Sequence, residues 1–120
     1  MGDLRTATAE DWSAFTGLPV PASWIGLVAE RAGAVVGIGA LVEDQPGVWV
    51  AMVQRAPGVT GTLCLMRGAR ILLDTARSVG VPVQACADSR IDGAERFLAR
   101  IGFEWTGETI GDHRMMQWTP

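Results

Sequence analysis

Between Trp24 and Arg55 the chain is apolar almost without interruption. The segments WIGLVAER, AVVGIGALVE and VWVAMVQR follow one another, parted only by Ala32-Gly33 and by Asp44-Gln45-Pro46-Gly47. Runs of this length, rich in Val and Ile and bounded by Gly and Pro turn signals, read as strands. Connections this short join antiparallel neighbours, so the three strands predict a meander. A sheet wetted on one side alternates apolar with polar residues. These runs do not alternate, so both faces need covering, and helices must supply the cover.

The flanking segments provide candidates. Leu4 to Ala7 alternates as a short strand. Thr8 then reads as an N-cap, with Glu10 and Asp11 in a first turn where acidic side chains favour the helix dipole. Gly17, Pro19 and Pro21 stop that helix early. After the Gly-rich stretch Ala56 to Thr62, the period becomes helical from Leu63. Leu65, Ala69, Leu72, Ala76 and Val79 form an apolar stripe opposite Arg67, Arg70, Asp74 and Arg77. Arg70 and Asp74 are spaced for an i,i+4 pair. Val83 to Ala87 reads as a buried strand, and Asp88 to Asp92 leads into a helix whose apolar face is Ile91, Ala94, Leu98 and Ile101. Gly102 stands where a left-handed cap belongs, which sets Phe103 against Leu98. Phe103 to Thr109 and Arg114 to Trp118 read as a final hairpin turning at Gly111-Asp112. The expected order is β-α-β-β-β-α-β-α-β-β, an α/β layer structure around a mixed, mainly antiparallel sheet with helices on both faces. No linker, repeat or composition shift divides the 120 residues, so one domain over 1–120 is expected.

Composition narrows the partners. The chain carries 10 basic and 13 acidic residues, and every basic residue is an Arg; Lys, Asn and Tyr are absent. These missing residues share AT-rich codons, which suggests a GC-rich bacterial or phage gene. An acidic chain with arginines dispersed along the sequence is not expected to bind nucleic acid. The longest apolar run, Ala32 to Val42, falls short of the roughly 20 residues a membrane helix needs. The charged first residues are no secretory signal, so a cytoplasmic protein without membrane contact is expected. Cys64 and Cys86 form no disulfide framework and no metal-ligand spacing, and both read as small buried hydrophobes.

A meander, a Gly-rich turn, a long helix, a strand, a helix ending in Gly-Phe and a terminal hairpin together resemble the GNAT superfamily of acyl-CoA-dependent N-acyltransferases. Locally, Ala94 to Phe103 (AERFLARIGF) is similar to the family's late A-x-x-x-Y-x-x-x-G-F helix, and Val28 to Val42, with Gly33 and Gly37, resembles its second and third strands. The resemblance implies an acetyl-CoA (or CoA) site between the strand Trp49 to Gln54 and the helix after it. The family's R/Q-x-x-G-x-G/A phosphate signature is matched by Arg55-Ala56-Pro57-Gly58-Val59-Thr60, with Gly61 one residue late. Backbone N–H groups at such a turn make a concavity for phosphate, so Arg55, Gly58, Thr60 and Gly61 are its expected contacts. Met52 and Val53 are implied as backbone partners of the pantetheine chain.

The same resemblance exposes what is missing. Many members protonate the departing thiolate with a Tyr on the late helix; Leu98 stands there, and no Tyr exists elsewhere in the chain. A positioned acid contributes about 10²–10⁴-fold. For the base, which must take a proton from the acceptor amine, Asp88 at a strand end and His113, the sole histidine, are the candidates. Trp24 and Trp105 could line an acceptor cleft by cation–π contact, or serve as core or interface residues. Two readings follow. One is an acyltransferase acting on a small-molecule or protein amine. The other is a catalytically inactive binding or structural module with a homodimeric or protein partner.

Overall fold

The computed structural model describes residues 3–56, 63–88 and 93–120. Along the chain run β1 (Asp3–Thr6), α1 (Ala9–Thr16), β2 (Trp24–Arg31), β3 (Ala34–Gln45), β4 (Val48–Arg55), α2 (Leu63–Val79), β5 (Val83–Asp88), α3 (Ala94–Arg100), β6 (Glu104–Ile110) and β7 (His113–Trp118). The seven strands form one sheet in the order β1-β2-β3-β4-β5-β7-β6. Every neighbouring pair is antiparallel except β4 and β5. The expected order and fold class are met.

Local chemistry explains the boundaries. Thr8 caps α1 through a reciprocal box: its hydroxyl accepts from the Asp11 N–H at 3.2 Å, and its own N–H donates to the Asp11 carboxylate at 2.8 Å. Arg5 on β1 donates to that carboxylate and to Glu30 on β2, tying the helix start to the sheet edge. The Arg5 bond first, and the Thr8 N–H second, hold the Asp11 carboxyl well below the usual carboxylate range. α3 ends in a Schellman motif: Phe103 N–H reaches the Leu98 carbonyl at 3.0 Å, and Gly102, at φ 105°, donates to Ala99 at 3.1 Å. Phe103 is buried in the core, with Leu98 packed against the same cluster.

Two apolar clusters lie on opposite faces of the sheet. Trp12 of α1 covers Val28, Ile38 and Ala40 on one face, and its indole N–H donates to the Pro19 carbonyl at 2.9 Å. Leu72, Leu73 and Ala76 of α2 and Leu98 of α3 cover Leu41, Val83, Ala85 and Met116 on the other. The meander is therefore covered on both sides, as its composition demands.

Several expectations need correction. β3 runs on to Gln45, so the turn is Pro46-Gly47 alone. Asp74 pairs with Arg77 at 2.7 Å rather than with Arg70, because the Arg77 guanidinium is also held over the Trp118 ring at 5.2 Å. Val79, the last residue of α2, is exposed. Cys86 is exposed as well. The second cluster holds β5 only on the α2 and α3 side, and no residue of β5, β6 or β7 belongs to the α1 cluster, so alternate residues of β5 stay wet. Ile91 and the side chains of Cys64 and Leu65 lie outside the described residues. The final hairpin pairs within the chain, β7 lying between β5 and β6.

Candidate functional site

The parallel pair is where the sheet departs from regularity. β4 and β5 match only at Trp49 with Val83 and Val50 with Gln84. Beyond these pairs each strand continues, to Arg55 and to Asp88, without pairing to the other. The two strands thus enclose a wedge open at their carboxyl ends. That is the position at which ligands bind in α/β sheets.

One row of backbone groups lines this wedge. The Ala56 N–H donates to the Val36 carbonyl at 2.9 Å, and the β3–β4 register continues from there through Ile38 with Gln54 and Ala40 with Met52. Backbone direction alternates along a strand. Val50, Met52 and Gln54 therefore bond to β3, while Ala51, Val53 and Arg55 turn their N–H and C=O groups toward β5. Of the two residues expected as backbone contacts, Val53 faces the wedge. Met52 does not, because its backbone groups are directed to β3 and its side chain packs with the α1 cluster. Ala51, which the sequence reading did not single out, turns its backbone groups to the wedge as well. Such an edge offers donors and acceptors to an extended, amide-bearing chain lying as an extra strand, and the open wedge gives it room.

Arg55 is exposed at the end of β4, at the wedge mouth. Gly58, Thr60 and Gly61 lie outside the described residues. Asp88 ends β5, and the β5–β7 register sets it directly opposite His113. The two candidate bases, 25 positions apart in sequence, thus share one rung of the ladder beside the wedge. The Asp88 side chain lies outside the described residues. His113 is half-buried. On the sheet face that carries the α1 cluster, Cys86 and Met115 meet with their sulfur atoms 3.4 Å apart.

Trp24 and Trp105 do not come together. Trp24 packs on Trp12, ring centroids 5.2 Å apart, whereas Trp105 lies on β6 at the far edge with Arg114 over its ring at 4.6 Å. Four strands separate them, so the two share no acceptor cleft. Leu98 packs into the core. Among the described residues, no group of three or more His, Cys, Asp or Glu side chains could hold a metal ion. No helix there is long and apolar enough to cross a membrane.

No protein-family model matches the chain, and no curated protein matches it in sequence. Solved structures do match in fold. An acyl-CoA N-acyltransferase from Pseudomonas aeruginosa superposes with a TM-score of 0.72 at 17% identity, over 99% of this chain and 100% of that one. A GNAT superfamily phosphinothricin acetyltransferase from Sinorhizobium meliloti, solved with acetyl-CoA, gives 0.75 at 17% identity, over 98% and 88%. A ribosomal-protein-S5-alanine acetyltransferase from Vibrio fischeri gives 0.68 at 13% identity; the match covers 80% of this chain and 61% of that one.

Proposed function

Since the chain has the GNAT fold, we propose that it is an acyl-CoA-dependent N-acyltransferase that moves an acetyl group from acetyl-CoA to an amine. One observation carries this reading: β4 and β5 part after two residue pairs and leave the backbone of Ala51, Val53 and Arg55 open along one side. Pantetheine carries two amides on an extended chain, which suits that edge. Arg55, Gly58, Thr60 and Gly61 would receive the phosphates. The donor supplies an activated thioester carbonyl, and the protein's task is to hold it beside the acceptor. Asp88 and His113, on one rung beside the wedge, are the groups to take the amine's proton. With a thiol pKa near 8.5, the CoA sulfur can leave as thiolate without a phenolic acid, more slowly than with one. The acceptor is a small-molecule or protein amine, and the working compartment is the cytoplasm.

A second reading is favoured by a separate observation: Leu98 is packed against the core where an acid would stand, and the chain holds no Tyr. It describes a module that binds CoA, or a protein partner or second copy, without catalysis. A thermal-shift titration separates the cases. Ligand at 100-fold excess over Kd raises stability by about 2.7 kcal/mol. No shift with millimolar acetyl-CoA or CoA refutes the transferase. With a shift in hand, thiol release across a panel of amines distinguishes enzyme from binder. Gly58→Trp is expected to abolish the shift and leave the unliganded melting temperature in place.

A further inference from the structure

Along the sequence the arginines look dispersed, but the fold gathers them. α2 and α3 together carry five arginines and two carboxylates, while the rest of the chain carries five arginines and eleven carboxylates. An acidic protein is thus basic over the two helices that follow the two splayed strands. Both helices start at the carboxyl end of the sheet, where the wedge opens, because one follows β4 and the other β5.

The neutralised and the open charges sit at different ends of α2. In its second half Asp74 bonds Arg77, which also stacks on Trp118. In its first two turns Arg67 and Arg70 are exposed, and among the described residues no ion pair holds either one. Arg96, in the first turn of α3, is likewise exposed and, among the described residues, in no ion pair, as is Arg100 in its last turn, whereas Glu95 is bonded to Arg114. Asp88, Glu108 and Asp112 lie at the same end of the sheet, on β5, on β6 and in the β6–β7 turn, and so does Glu30 of β2, which Arg5 holds; none of them is on the helices.

Building on the transferase reading, we propose that Arg67, Arg70 and Arg96 form an anion-steering surface that draws the polyphosphate end of the acyl donor to the wedge mouth. Like-signed charges near a cleft raise the on-rate of an opposite charge by about 10- to 1,000-fold, and salt removes the effect. Such residues change the association rate and its ionic-strength dependence more than the dissociation rate.

The test is stopped-flow association of CoA, read by tryptophan fluorescence, on the wild type, R67Q/R70Q and R67K/R70K, at 20 mM and 1 M NaCl. Pantetheine, which lacks the phosphates, runs in parallel. At low salt the Gln pair is expected to bind CoA about tenfold more slowly. At 1 M, where the Debye length is about 3 Å, its rate should fall within twofold of wild type. The Lys pair should keep the wild-type rate, and pantetheine should bind all three proteins alike. Equal CoA rates for wild type and the Gln pair at low salt overturn the proposal. So does a slowing that persists at 1 M or that pantetheine shares, since either marks lost contact or packing. A wild type that binds no CoA at all fails the transferase reading itself, and the steering with it.

Discussion

Two glycines on adjacent strands answer the same substitution with opposite signs. Gly39 on β3 faces α2, and a Cβ added there would lie 3.7 Å from Leu72 Cδ1 and 4.0 Å from Val53 Cγ2, ordinary contact distances. Its backbone is not in the left-handed region, so Ala fits without strain. Gly→Ala at such a position stabilises by about 0.4–1 kcal/mol through the unfolded chain. The new methyl adds up to about 0.8 kcal/mol of burial. Gly39→Ala is therefore expected to gain about 1 kcal/mol, or roughly 4 °C in Tm for a domain of this size. Gly26 on β2 faces the α1 side. There a Cβ would lie 2.8 Å from the Trp24 ring, 3.2 Å from the Gly39 carbonyl and 3.3 Å from Ala7 Cβ. The Trp24 ring packs at a tilt against Trp12 and the carbonyl is backbone, so neither yields easily. Overpacking of this kind costs about 1–3 kcal/mol, which outweighs the entropic gain. Thermal melts and urea titrations of both variants, with m-values compared to exclude a change in the unfolded state, read the two signs. A loss for Gly39→Ala, or a gain for Gly26→Ala, would refute the assignment of faces as well as the distances.

Three further outcomes are expected. Phe103→Ala removes a buried ring from the α3 cap and should cost about 3–5 kcal/mol in urea unfolding; a loss under 1 kcal/mol would mean the cap contact is idle. Because the Asp11 carboxyl is held below its unfolded value, its contribution is present above the unfolded carboxylate range and is lost as pH falls through the folded value. Asp11→Asn should therefore flatten the acid limb of a stability–pH curve, and an unchanged limb would contradict the capping box as drawn. Leu98→Tyr restores a phenol on α3, at an overpacking cost of about 1–3 kcal/mol. If the missing acid limits acetyl transfer, kcat should rise at least tenfold with CoA affinity held, and an unchanged kcat would show that the limit lies elsewhere.

Much of this architecture is written locally. Turn residues at Gly33 and Gly47, the Thr8 cap and the Gly102-Phe103 stop each act within a few residues, so the order of elements can be read from them. What depends on pairing between distant segments cannot. The bulge between Glu43 and Gln45 shifts the β3–β4 register, and no residue type marks which row of β4 then faces β5. Met52 and Val53 look alike in sequence, yet only one turns its backbone to the wedge. Cys86 misled for a related reason. Its strand is as apolar as a doubly buried one, but the short α1 does not extend over β5. The arginines show the same limit at larger scale, since Arg67, Arg70 and Arg96 come to one end of the sheet only once β4 and β5 run parallel.

The narrow junction at Trp49–Val83 and Val50–Gln84 has a consequence for motion. β1 to β4 form one plate, tied by long antiparallel ladders, and β5, β7 and β6 form another. Two rungs join them in backbone bonds, while the cluster under α2 packs across the seam from Leu41 to Val83 and Ala85. In backbone pairing such a sheet is thinnest at its seam. Its slowest-exchanging amides should therefore fall into two blocks, one per plate, with early exchange along the facing edges of β4 and β5.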